Sequence, residues 1–257
     1  MEPEPSLSHI VEPCPFCGSL LSETLQKRSL VQKITKPAIF QSASSIPRLT
    51  FDIDKLDSII NFLGVNQKIC IAGRHTQKLV ERLCVRAQLP RQYGGLGTKV
   101  LLIDGANSSD LYQCVDFARQ YGLDVNKVLN GIISSRTFTI YQLANLITLE
   151  LENAIKHFDV RLVVITNLLH YANDPYLDDM EMQRIVYEII KSLEKIKDCL
   201  VIVSIDSQTQ FDDVIHKLFS ITIKIESNNN ALSVNVNNEG RYSSVILRND
   251  ELENIRP

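Results

Sequence analysis

Apolar and polar positions change their pattern near residue 48. Before that point the apolar runs are short, Pro3, Pro5, Pro13, Pro15, Pro37 and Pro47 interrupt the chain, and one helical period, Ser22 to Ile34, stands out. From Leu49 onward, apolar strand runs alternate with stretches of helical period, which predicts an α/β domain with a mostly parallel sheet flanked by helices. Strands are expected at Lys68 to Ala72, Lys99 to Asp104, Ile132 to Arg136, Arg161 to Thr166 and Leu200 to Ile205. Helices are expected near Asp52 to Leu63, Thr76 to Gln88, Ser109 to Tyr121 (with Gly122 as its stop), Thr139 to Phe158, Leu177 to Lys197 and Thr209 to Phe219. After Phe219 the alternation Ile221, Ile223, Ile225, then Leu232, Val234, Val236, then Val245, Leu247 reads as a C-terminal antiparallel meander. Its breaks, Asn228-Asn229-Asn230 and Asn238-Glu239-Gly240, suit turns with left-handed backbone. The expected organisation is a small N-terminal module and linker over residues 1–48 and a core domain over residues 49–257.

Composition narrows the class. The chain has 257 residues, 44% hydrophobic and 22% charged, with 10 Gly and 9 Pro, which describes a globular protein with a core to bury. A net charge of -3 argues against a dedicated nucleic-acid binder of strongly basic type, so any such contact must be a local patch. The longest stretch without Asp, Glu, Lys or Arg, Thr137 to Leu149, is shorter than the roughly 20 apolar residues that span a bilayer. The start, MEPEPSLSHIVEP, lacks the basic beginning and apolar stretch of a signal peptide, and a cytoplasmic protein with no membrane partner is expected. Cys70, Cys84, Cys114 and Cys199 are scattered through core elements, unlike a disulfide framework.

Two local patterns carry candidate chemistry. Residues 68 to 99 hold Lys68, Arg74, Lys78, Arg82, Arg86, Arg91 and Lys99 against Glu81 alone. Arg74, Lys78, Arg82 and Arg86 recur every four residues, so a helix beginning near Arg74 aligns them in one ridge while Leu79, Leu83, Cys84 and Ala87 face the sheet. Such a ridge suits phosphates or an acidic partner; the same spacing also describes a solvated helix face. The second pattern, Cys14-Pro15-Phe16-Cys17-Gly18, resembles one knuckle of a zinc ribbon. A tetrahedral site needs two further ligands, and His9, Cys70 and His75 lack ribbon spacing, which leaves zinc shared between two chains, a relic, or a redox pair. His157 and His216 fall in expected helices without ligand spacing, and Ser204 and Asp206 end a strand, where α/β ligand sites gather, without a motif around them.

A longer run is more specific. LCVRAQLP at residues 83–90 leads into Gly94-Gly95-Leu96-Gly97-Thr98-Lys99, then VLLIDG, CVDFARQYGLDVNKVLNGI and SSRTFT. Together these resemble the RecA superfamily recombinase core in its archaeal and eukaryotic RadA-like branch, a P-loop NTPase fold, over about residues 49 to 257. The resemblance implies a nucleotide site, and that site is degenerate here. A working phosphate loop, GxxxxGK[ST], presents backbone N–H groups, a Lys and a magnesium-binding hydroxyl. This chain has Gly73-Arg74-His75-Thr76-Gln77-Lys78, without the second glycine or the Lys-Thr pair. Where the family carries Asp-Thr-Glu, with the Glu as base, Asp104-Gly105-Ala106 stands, and only Asp110 lies near enough to substitute. In RLVVITN the Walker B aspartate gives way to Thr166 or Asn167.

Loss of cradle, base and metal carboxylate together removes what phosphoryl transfer requires, so a pseudo-ATPase without residual ATP binding is expected. The family's first DNA loop corresponds to His170 through Glu181, which holds Asp174, Asp178, Asp179 and Glu181 and no Lys or Arg; the second shrinks to Asp206 through Gln210. Phe40-Gln41-Ser42-Ala43 matches the family's Phe-x-x-Ala subunit-docking motif in position, implying that Phe40 and Ala43 dock into another RecA-fold subunit, although a linker Phe packed on its own core is an equal reading. The expectation is a non-catalytic RadA-like paralogue, an adaptor in recombination or DNA repair that binds a recombinase or DNA. The alternatives are an ATPase subunit whose degenerate site still binds ATP, and a structural subunit of a RecA-fold ring.

Overall fold

Alternate residues of the central strands point into two separate cores, and this makes the architecture three-layered. In a computed structural model that describes residues 47–73, 75–174, 177–206, 211, 217–228 and 231–253, all described residues belong to one unit, Ile46–Pro257. Ile69, Ile71, Val100, Leu102, Leu162, Val164, Leu200 and Ile202 join one apolar core, and Cys70, Leu101, Ile103, Val163, Ile165, Val201 and Val203 join the other. Strands buried on both faces read as near-continuous apolar runs, which is why the sequence located them.

The described strands are β1 (Arg48–Leu49), β2 (Leu63–Gly64), β3 (Lys68–Gly73), β4 (Val100–Asp104), β5 (Ile132–Arg136), β6 (Leu162–Thr166), β7 (Leu200–Ile205), β8 (Ile221–Asn228), β9 (Ala231–Asn238) and β10 (Arg241–Arg248). The helices are α1 (Asp54–Ile60), α2 (Thr76–Arg86), α3 (Leu111–Gln120), α4 (Val125–Asn130), α5 (Ile140–Asn145), α6 (Leu151–Phe158), α7 (Asp179–Lys195) and α8 (Asn249–Glu253). The main sheet runs β10-β9-β8-β3-β7-β6-β4-β5. Its strands from β8 to β5 are parallel, while β8, β9 and β10 pair antiparallel as the expected meander. Glu239 and Gly240 take φ of 51° and 86° in the β9–β10 turn, the left-handed backbone expected there. β1 and β2 form a separate two-stranded ladder.

Differences from expectation are local. The helix expected from Asp52 to Leu63 is only Asp54–Ile60, because Asp52 and Asn61 adopt left-handed φ of 59° and 63° and Leu63 pairs with Leu49. The Asp57 carboxylate accepts from the Phe51 and Ile53 N–H groups at 2.8 and 3.1 Å, which sets where α1 begins. The long helix expected from Thr139 to Phe158 contains a π-turn, Leu146–Glu150, between α5 and α6. Helix α4 went unanticipated; Asp124 caps it by accepting from the Lys127 N–H at 3.0 Å. Gly122 stops α3 as expected, with φ of 63°. The segments expected at Ser22 to Ile34 and, for the most part, Thr209 to Phe219 lie outside the described residues. Among the described residues no helix is long and apolar enough to cross a membrane.

Candidate nucleotide site

Ligands of open α/β sheets bind beyond the carboxyl ends of the strands, so the ends of β3, β4, β6 and β7 are where a nucleotide site belongs. At β3 the strand ends with Gly73 and α2 begins with Thr76, so residues 74 and 75 alone separate them in sequence. Gly73 has φ of 106°, and a Cβ there would lie 2.1 Å from the Ile225 carbonyl oxygen of β8. That glycine serves strand packing. His75, at φ 63°, turns the chain into a helix whose first residue, Thr76, is itself buried.

At β4 the strand end is closed by its own polar groups. Asp104 is 1% exposed. Its carboxylate accepts from the Ser109 N–H at 2.8 Å, the Ser108 N–H at 3.1 Å, the Ala106 N–H at 3.4 Å and the Thr166 hydroxyl at 3.2 Å. Burial pushes this carboxyl up, but the hydrogen bonds from Ser109, Ser108 and Thr166 together more than reverse that and leave it below its ordinary value. Thr166 and Asn167, at the end of β6, therefore belong to a structural network. Asn167 donates from its side chain to the Ser108 hydroxyl at 3.0 Å, and its N–H donates to the Ser204 hydroxyl at 3.0 Å. Gly105 donates its N–H to the Thr166 carbonyl at 3.0 Å, and a Cβ on Gly105 would come within 2.4 Å of that oxygen. Asp110 caps α3 by accepting from the Tyr112 N–H at 2.9 Å. It is a helix cap with no reach toward β4's end through that oxygen.

A carboxyl that no sequence motif marked lies beside this network. Glu81, in the middle of α2, is 1% exposed. Its Oε1 accepts from the Gln77 side chain at 2.6 Å and from the Asp110 N–H at 2.9 Å, whereas Oε2 has no hydrogen-bond partner among the described residues. Burial above all, with Asp110 and Asp104 adding repulsion, pushes the carboxyl up to about 7. That value suits a general base, yet the group is closed from solvent, so it acts on the fold before it can act on a substrate. The signal available in sequence was one acid among seven basic residues.

The basic ridge requires correction. Arg74 lies outside the described residues, Lys78 is half-buried, and Arg82 and Arg86 are 0% and 4% exposed. Arg82 donates to the Asp52 carbonyl at 2.6 Å and reaches the Glu251 and Leu252 carbonyls of α8 at 3.4 and 3.5 Å. Arg86 donates to the Thr50 carbonyl at 2.7 Å, the Thr50 hydroxyl at 2.6 Å, the Tyr121 hydroxyl at 3.1 Å and the Tyr93 carbonyl at 3.2 Å. The Asp52 carboxylate stands 3.3 Å from both guanidinium groups. Four-residue spacing did place these arginines on one stripe, but that stripe is covered by residues 50–52, α3 and α8. They are internal struts and offer no surface to phosphate or to an acidic partner.

The remaining candidates divide plainly. Cys14, Cys17, Phe40 and Ala43 lie outside the described residues. Cys70, Cys84, Cys114 and Cys199 are buried free thiols, as their scatter suggested, and burial pushes the Cys114 thiol up to about 12. Of the acidic segment, Asp178, Asp179 and Glu181 stand at the start of α7, where the helix dipole favours negative charge. Among the described residues no group of three or more His, Cys, Asp or Glu is placed to hold a metal.

Comparison with known proteins agrees with this fold. The meiotic recombination protein DMC1 homolog A of Oryza sativa subsp. japonica is 28% identical over 142 residues, 53% of this chain and 40% of that protein. The DNA repair and recombination protein RadA of Cenarchaeum symbiosum (strain A) is 25% identical over 143 residues, 54% of this chain and 36% of that protein. The meiotic recombination protein DMC1 homolog of Lilium longiflorum is 26% identical over 153 residues, covering 58% of this chain and 44% of that protein. The match thus spans less than half the length of each of these relatives. A parallel sheet with this strand order and a C-terminal meander, together with a Rad51 family model that matches residues 58–218, places the chain in the Rad51 family of the RecA superfamily.

Proposed function

We propose that this chain is a non-catalytic Rad51-family paralogue that serves recombination or DNA repair as an adaptor, by binding a RecA-fold partner. The observation that carries the reading is the end of β4, where the Asp104 carboxylate and the Thr166 hydroxyl are engaged with each other and with the chain's own N–H groups. Phosphoryl transfer needs a phosphate cradle, a metal carboxylate and a group to position the nucleophile. Here only residues 74 and 75 separate β3 from α2, and of the acids at or near the strand ends Asp104 is engaged by its own chain, Glu81 is sealed in α2, and Asp206 follows β7. With chemistry removed, what a RecA-type core still provides is surface, and Phe40 and Ala43 in the linker are the segment we assign to the partner.

Thermal unfolding with magnesium-ATP, run beside capture by a purified recombinase, tests this. A site saturated at 100 times its Kd would add about 2.7 kcal/mol; the expected result is no shift, together with capture of the recombinase. A nucleotide-dependent shift of that size would return the chain to the ATP-binding members of its family.

A further inference from the structure

The start of α3 is fastened to α2 through the buried carboxyl of Glu81. Its Oε1 accepts from the N–H of Asp110, the residue that caps α3, at 2.9 Å. One turn into α3, the Cys114 thiol reaches the Glu81 carbonyl oxygen at 4.0 Å, a long sulfur contact. Between these two attachments the seam is short of donors. Glu81 Oε2 and Gln113 Oε1 are both buried and, among the described residues, neither has a hydrogen-bond partner. Both are acceptors while Glu81 is ionised, and a proton on Oε2 turns one of them into a donor.

The charges around the seam do not steady a carboxylate there. Asp110 at the cap of α3 and Asp104 at the end of β4 repel it, and the Cys84 and Cys114 thiols are kept neutral by burial. Among the other elements packed on α2, β6 and β7 carry no charged residue, and β3 carries only Lys68, at its first position. On α8, Glu251 pairs with Lys55 and Asp250 with Arg248, and on α3 Asp116 pairs with Arg119. On α2 itself Arg82 and Arg86 turn to Asp52, while Lys78, half-buried, forms no ion pair with Glu81. Residues just upstream have the opposite situation. The Ala106, Ser108 and Ser109 N–H groups are held by Asp104, whose carboxyl lies below its ordinary value and so stays an ionised acceptor across the neutral range. From Ser109 to Asp110 the chain passes from a carboxylate rich in donors to one that lacks them. The turn that follows is also lightly packed. Leu111 and Gln113 are half-buried and Tyr112 is exposed, whereas Cys114, Phe117 and Ala118 are the buried residues that anchor α3.

We infer that Glu81 is a proton-operated latch: protonated, it holds the first turn of α3 on α2, and ionised, it releases residues 110–113 while Asp104 keeps residues 105–109 in place. Release brings water to Glu81 Oε2 and to Gln113 Oε1 and gives up the Asp110 bond, and it leaves the buried anchors of α3 seated. The carboxyl is pushed up to about 7 in the closed seam, against 4.5 for a solvated glutamate, so rising pH favours the open form. Opening uncovers Glu81 beside the end of β4, which makes access to that end of the sheet depend on pH near neutrality. The latch goes beyond the adaptor reading and does not rest on it.

Amide hydrogen exchange on the full chain, resolved by NMR at about pH 5.5 and about pH 7.5 and corrected for the intrinsic pH dependence of exchange, tests the latch. Protection of the Asp110 and Gln113 amides is expected to fall about twentyfold between the two conditions, as a carboxyl near 7 when closed and 4.5 when open requires. At both values it is expected to lie below that of the Val164 amide, which sits fully buried in β6 and reports global unfolding. In Glu81→Gln, which keeps the side chain's shape and cannot ionise, the two amides are expected to show the same protection at both values. Wild-type protection at Asp110 that does not change with pH, or that equals Val164's at each value, overturns the inference, and neither result requires the variant to fold. A fall with pH that persists in Glu81→Gln overturns it as well, because another group would then be titrating.

Discussion

Glu81 and Asp104 are both 1% exposed, yet their carboxyl groups move in opposite directions, the first up to about 7 and the second below its ordinary value. Burial is common to both. What differs is the supply of donors. Asp104 ends a strand where the chain turns back over it and delivers the Ala106, Ser108 and Ser109 N–H groups, and the Thr166 hydroxyl joins them from β6. Glu81 projects from the middle of a helix and receives two donors on one oxygen and, among the described residues, none on the other. Arg82, one residue on from Glu81 and fully buried, makes the same point with opposite sign. It is matched by the Asp52 carboxylate and three backbone carbonyls. A buried charge survives when turns and helix ends, which carry unpaired backbone groups, surround it; a helix midpoint brings none of its own.

Three substitutions would break or sharpen this contrast. The largest loss is expected at Arg82→Ala, which opens a cavity and strands the Asp52, Glu251 and Leu252 carbonyls. About 3–5 kcal/mol of stability should go, measured by urea unfolding, and a loss under about 1 kcal/mol would show that the guanidinium is not structural. Next comes the pH profile of Glu81. Its folded value lies above the 4.5 of the unfolded chain, so its contribution is complete below pH 4.5 and disappears as pH rises through about 7. Wild type should lose up to about 3 kcal/mol over that window, and Glu81→Gln should flatten the profile. Parallel profiles for the two proteins would show that Glu81 ionises freely. The smallest effect is expected for Asp104→Asn, about 2 kcal/mol near neutral pH in the same urea measurement, since one side-chain amide cannot accept from all these donors. Because the Asp104 value is lowered, wild type's advantage should shrink as pH falls below 3.8, the reverse of the Glu81 dependence.

Much of the fold was legible because it follows from periodicity. The central strands β3, β4, β6 and β7 read as apolar runs since both their faces are covered, and β3 to β7 all formed within one residue of where they were expected. Two-residue strands such as β1 and β2 leave no period to read. Helix α1 was overdrawn because nothing in the pattern announces the left-handed turns at Asp52 and Asn61. At the candidate nucleotide site, Gly73 through Lys78 and the Thr166-Asn167 pair were visible as residues. That Thr166 and Asn167 had joined a network with Asp104, Ser108 and Ser204 was not, because those partners are far apart in sequence. Arg82 and Arg86 show the limit most clearly. A period of four assigns residues to one side of a helix and carries no information about whether that side meets water.

The sequence by itself determined the layer architecture and the family, because both rest on local periods and short motifs that the chain states directly. Tertiary structure alone decided which charges are interior and which remain on the surface. Arg86 and Arg91 are five residues apart and equally basic on paper, yet one is enclosed against Thr50 and Tyr121 while the other lines a cavity. The physical reason is that the cost of burying a charge depends on partners, and for the buried arginines the partners come from Thr50, Asp52, Tyr121 and α8, segments that only folding brings together.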